Sequence, residues 1–108
     1  MQPACLILSV LALATSTVVA AAQDVRGNVS NGRHLAEHWC GSCHRMSTDD
    51  ASARGDVAAF AEVARLPSTT ALSLRAFLYS SHADMPNIQL SSGDADDLIA
   101  FILSFKSM

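Results

Sequence analysis

Two thiols and an imidazole fall within the five residues Cys40-Gly41-Ser42-Cys43-His44, with Trp39 directly before them. No other stretch constrains the fold as strongly. C-x-x-C-H is the pattern that attaches a c-type haem: the thiols add across the two vinyl groups of the porphyrin, and the following His is carried under the iron as an axial ligand. On one helical turn Cys40 and Cys43 share a side, while His44, i+4 from Cys40, projects towards the metal. A chain built around such a group also needs an export signal, a second axial ligand and helices to wrap the porphyrin.

The chain has 108 residues, half of them hydrophobic, which allows one domain after any leader. All 10 acidic and 7 basic residues lie after Gln23. The uncharged start is nearly all apolar from Leu6 to Leu13 and reaches small residues at Ala20-Ala21-Ala22, an A-x-A cleavage site. This is the anatomy of a secretory signal peptide, although Met1 to Cys5 carry no Lys or Arg. Residues 1–22 are therefore expected to be a signal and 23–108 the functional domain. An uncleaved membrane anchor is the competing reading. Cleavage discards Cys5 and leaves Cys40 and Cys43 as the mature cysteines, too few for a disulfide framework. A domain this small needs a staple, and a covalent haem supplies one.

Along the mature chain, Ser30 or Asn31 is expected to cap a first helix carrying Leu35 and Trp39 at i and i+4 and delivering the chain to Cys40. His34 and His38 share that spacing, which could suggest a metal site, but with no acidic or Cys partner evident near them they are read as a solvated face with Arg33 and Glu37. Arg45 to Gly55 is a polar loop, in which Arg45 and Arg54 are weak candidates for donors to haem propionates. Val57, Phe60, Ala61 and Ala64 predict a second helix ended by Pro67. Ala71, Leu74, Phe77 and Leu78 predict a third, started by Ser68 or Thr69, with the stripe taken as structural packing. Residues 82–87 then form a loop. Within it, the thioether of Met85 is a soft axial partner for an electron-transfer haem, and Pro86 holds Met85 extended. His82 is the rival ligand. Ser91 with Asp94 opens the last helix, where Leu98, Phe101, Ile102 and Phe105 form a broad apolar face. Asp94, Asp96 and Asp97 suit the positive end of its dipole, and Lys106 the other end. No alternating strand pattern occurs after the leader, so the fold is predicted to be all-α.

Taken together, Gly32-Arg33-His34-Leu35-Ala36, Cys40 to His44, Leu74 to Leu78 leading to His82-Ala83-Asp84-Met85-Pro86, and Asp97 to Ile102 resemble the small bacterial class I cytochromes c. The resemblance implies a cytochrome c fold: several short helices around one covalently attached haem c, with crossing N- and C-terminal helices, Gly32 at the crossing and Phe101 packed into it. It implies thioethers at Cys40 and Cys43, His44 as the proximal iron ligand and Met85 as the distal one. The Gly-Pro pair that often follows the haem motif, in the region that accepts the proximal His hydrogen bond, is absent here.

The expected function is that of a periplasmic one-electron carrier, not an enzyme, because two filled axial positions leave the iron no site for substrate. Redox proteins are the expected partners, with no nucleic acid, and with the membrane reached only through a partner or an uncleaved anchor. A formal charge of −3 and a lone Lys106 favour docking through an apolar rim or onto a basic partner. The alternatives are a haem c subunit of a larger dehydrogenase, or a five-coordinate gas-binding or peroxidatic protein if Met85 is not a ligand. A thiol oxidoreductase would want a parallel sheet beside C-x-x-C, and a zinc module four ligands. A four-helix bundle cytochrome would carry the motif near the C-terminus.

Overall fold

A computed structural model describes residues 26–47, 56–80, 82 and 84–108. The predicted signal and anchor, most of the polar loop including Arg54, and Ser81 and Ala83 lie outside the described residues. Within them the structure is helical and contains no strand. The helices are α1 (Val29–Leu35), which runs on into a π-helical turn (Ala36–Cys40), α2 (Phe60–Arg65), α3 (Ala71–Leu78) and α4 (Ser92–Ser104). None is long and apolar enough to cross a membrane.

The organising element is α4. Ser91 caps it, its hydroxyl accepting the Asp94 amide at 3.1 Å while donating to the Asp94 carboxylate at 2.7 Å. Its apolar stripe is buried as its spacing predicts, with Phe101 wholly enclosed, and α1, α2 and α3 all pack on it. Phe101 meets Phe60 and Phe105 edge-on at 6.5 and 5.2 Å, geometries that suit the ring quadrupoles.

Where α1 crosses α4 there is no room for a side chain. A Cβ on Gly32 would run into the Asp97 carbonyl and stand 2.9 Å from the Phe101 Cβ, so the backbones touch because residue 32 is glycine. Asp97 then ties the two helices together: its carboxylate accepts the Asn28 amide at 2.6 Å and the Asn31 side-chain amide at 2.5 Å. Those bonds, the Asn28 one foremost, hold the Asp97 carboxyl below its usual value of 3.8. Asp96 pairs instead with Arg75 of α3. Of the three acids expected to serve the α4 dipole, only Asp94 works within the cap, and the other two bind neighbouring helices.

The first three helices start one to three residues away from expectation, each for a visible reason. Asn28, not Ser30 or Asn31, caps α1, its side chain accepting the Asn31 amide at 2.9 Å. Thr70, not Ser68 or Thr69, caps α3 in a reciprocal bond pair with Ser73. Thr69 is buried, with its hydroxyl donating to the Val63 carbonyl at 2.6 Å. Lys106 reaches the Thr69 carbonyl at 2.6 Å rather than the end of α4. Val57 lies before α2, which Ala59 opens by donating its amide to the Glu62 carboxylate at 2.8 Å.

Candidate haem site

The turn that leads into the motif is wider than an α-helical one. Ala36 to Cys40 is π-helical, a form that recurs at functional sites. The Glu37 carbonyl then closes over residue 41, where a Cβ would stand only 2.6 Å from the oxygen, so the first spacer of C-x-x-C is glycine for a steric reason. From there the Cys40 carbonyl accepts both the Cys43 and His44 amides, at 3.0 and 2.8 Å, and this turn brings Cys43 and His44 round to one side.

That side faces a cavity of about 560 Å³, within the usual range for a small-molecule or cofactor site. Cys40, Cys43, His44 and Met85, which the sequence singles out separately, all line it. Leu74, Leu98 and Ile102 supply apolar wall, and Asp56 and Asp84 are the charged residues of the described lining, with no Lys or Arg. Arg45 instead has its guanidinium 3.7 Å from the Glu62 carboxylate.

His44 is held on two sides. Its Nδ1 lies 2.9 Å from the Ala58 carbonyl. A carbonyl only accepts, so Nδ1 carries the proton and Nε2 keeps its lone pair for a metal. The ring also stacks on Phe60, with centroids 4.8 Å apart and planes inclined by 12°. No sequence signal names Ala58, because a backbone acceptor has no residue signature. Its carbonyl is the acceptor that the missing Gly-Pro pair left unidentified.

Met85 enters from the other end of the chain. Asp84 has φ of 61°, in the left-handed region that non-glycine residues rarely adopt. Pro86 follows, and the Met85 amide donates to the His82 carbonyl at 3.0 Å. A residue fixed on both sides by restricted backbone is well placed to present one side chain. His82 lines the same cavity, its ring edge-on to Phe77 at 5.9 Å.

Two residues expected to pack are partly open to solvent. Trp39 is 43% and Phe77 58% exposed, and both line the cavity, as does Leu66 at 53%. Their apolar surface belongs to the wall and rim of the site.

The described residues fit a haem. The two Cys, the imidazole with a free Nε2 and the thioether converge on one largely apolar space of suitable size. Burial, then the neighbouring Cys43, push the Cys40 thiol up to about 11. As a thioether the same sulfur would have no charged form to desolvate.

No protein-family model matches the chain, and no solved structure matches it. Among curated proteins it is similar to cytochrome c-552 of Bradyrhizobium diazoefficiens, at 40% identity over 97 residues that cover 90% of this chain and 89% of the relative. With so large a share of both chains aligned at that identity, the chain belongs to the small mono-haem class I cytochromes c, which bear a covalent haem c and carry electrons.

Proposed function

We propose that the protein is an exported, periplasmic one-electron carrier in which Cys40 and Cys43 hold the haem by thioethers and His44 and Met85 bind its iron from opposite faces. The observation that carries this reading is the convergence of all four residues on one cavity from chain segments far apart in sequence. The haem supplies an iron couple that cycles between ferric and ferrous. The protein's part is to hold ligands still and keep water away. Ala58 fixes the tautomer and aim of His44, and Phe60 braces its ring. Asp84 and Pro86 restrain Met85, which would hold its thioether in one place in either oxidation state of a bound haem. A Met85 thioether on the iron and apolar walls such as Leu74, Leu98 and Ile102 would favour the ferrous state. If His44 and Met85 both held the iron, no position would be left for a substrate, as suits a carrier.

The uncharged N-terminal segment, with its small-residue cleavage site, supports export, with residues 23–108 as the mature domain. Trp39, Leu66 and Phe77 form an exposed apolar rim on the cavity, where a redox partner would dock. Asp56 and Asp84 in the lining, with the formal charge of −3, suit a partner with a basic face. Rapid transfer to an acidic partner that falls steeply with added salt would contradict this part.

The axial assignment is tested on protein matured with its haem. Met85→Ala should lose the Met-to-iron charge-transfer band while the haem stays covalently bound. An unchanged spectrum would reject Met85 as the ligand.

A further inference from the structure

We infer that His34 and His38 form a second metal site on the surface of the α1 segment, a two-imidazole chelate for a divalent transition cation, with Cu(II) as the favoured ion. Both side chains are exposed, one on α1 and the other on the π turn. Their ring centroids are 5.5 Å apart and their planes are inclined by 30°. Two imidazoles bound to one ion at about 2.0–2.1 Å per nitrogen hold their centroids roughly 4.5–5.5 Å apart, depending on the angle at the metal. At 5.5 Å the pair stands at the wide end of that range, and rotation of the two exposed side chains would close it to the ~4.5 Å of two imidazoles at right angles on a tetragonal ion.

The surroundings leave the pair available. Arg33 and Glu37, on the same stretch, pair with each other at 3.8 Å, so neither charge is aimed solely at the imidazoles. Neither ring lines the haem cavity, whereas His44 and His82 both do. Burial gives no structural reason for the pair, because both rings are solvent-facing and their contact is with each other. Imidazole suits copper, nickel and zinc, and Cu(II) heads the affinity order among divalent ions. Among the described residues no cluster of three or more His, Cys, Asp or Glu exists that could hold a metal. Water would complete the coordination, an arrangement that tetragonal Cu(II) accepts and a closed structural zinc site does not.

The test uses the haem-loaded protein at pH 7.5, titrated calorimetrically with Cu(II) against glycine as a competing chelator. One Cu(II) per chain is expected. His34→Gln and His38→Gln should each weaken binding by about tenfold or more, since each removes one arm of the chelate. The double variant should abolish binding, and Cu(II) should raise the denaturation midpoint of the parent chain but not of the double variant. The haem spectrum should stay the same throughout, which separates this site from the axial ligands. Affinity unchanged in either single variant, or no binding by the parent at submillimolar Cu(II), would overturn the proposal.

Discussion

The two sides of α4 are built on opposite principles. Towards α1, polypeptide meets polypeptide: Gly32 lies against the Asp97 carbonyl, and the Asp97 carboxylate takes two hydrogen bonds from α1's first residues. Towards α3 and the Met85 loop, Leu98 and Ile102 face a cavity of about 560 Å³ whose outer wall includes the half-open Trp39 and Phe77. One side is completed by the chain itself. The other has the shape of a wall whose partner is a haem. Apolar side chains exposed on the second side are therefore not packing defects, and substitutions on the two sides should fail in different ways.

The largest stability effect should come from the closed side. Gly32→Ala gains helix propensity worth about 1 kcal/mol but forces backbones apart, an overpacking cost of about 3 kcal/mol, for a net loss of roughly 2 kcal/mol in denaturant unfolding. A neutral result would mean that α1 and α4 do not rely on this contact.

Asp97 should show a smaller effect that depends on pH. Its carboxyl is held below the usual 3.8 by hydrogen bonds from α1, so its contribution is present above that value and is lost as the pH falls through the lowered folded value. Asp97→Ala should therefore be less stable than the parent at neutral pH, and the two stability curves should converge in acid, below about 3.8. Parallel curves would mean that the bonds to Asn28 and Asn31 contribute nothing.

On the open side the smallest change in stability is expected. Phe77→Ser should cost less stability than Gly32→Ala, because Phe77 is 58% exposed and faces the haem space and solvent more than neighbouring helices. Its effect should appear in the haem's surroundings, as a lower reduction potential from a more polar wall. A large loss of stability with an unchanged potential would erase the contrast between the sides.

Much of this division is legible in the sequence, because it rests on side-chain identity and spacing. The Cys40 to His44 pattern, Met85 before Pro86 and the α4 stripe are signals of that kind, and the family resemblance adds Gly32 and Phe101 at the crossing. What spacing does not carry is what an apolar face packs against. Trp39 and Phe77 read as packing positions, and periodicity is the same whether protein or porphyrin covers them. Backbone groups are equally silent, which is why the Ala58 carbonyl behind His44 emerges only in three dimensions. Polar residues with two possible uses are also ambiguous: Asp97 reads as a dipole partner of its own helix and proves to be a clamp on another.

Met85 is proposed to close the haem site opposite His44. This is tested most directly by proton NMR of the ferrous, haem-loaded protein, in which a methionine methyl held over the porphyrin is shifted by the ring current far upfield of ordinary methyl groups. One such three-proton resonance is expected, absent in Met85→Ala and retained in His82→Ala. Its absence from the parent, or its persistence in Met85→Ala, would rule out Met85 as the iron ligand.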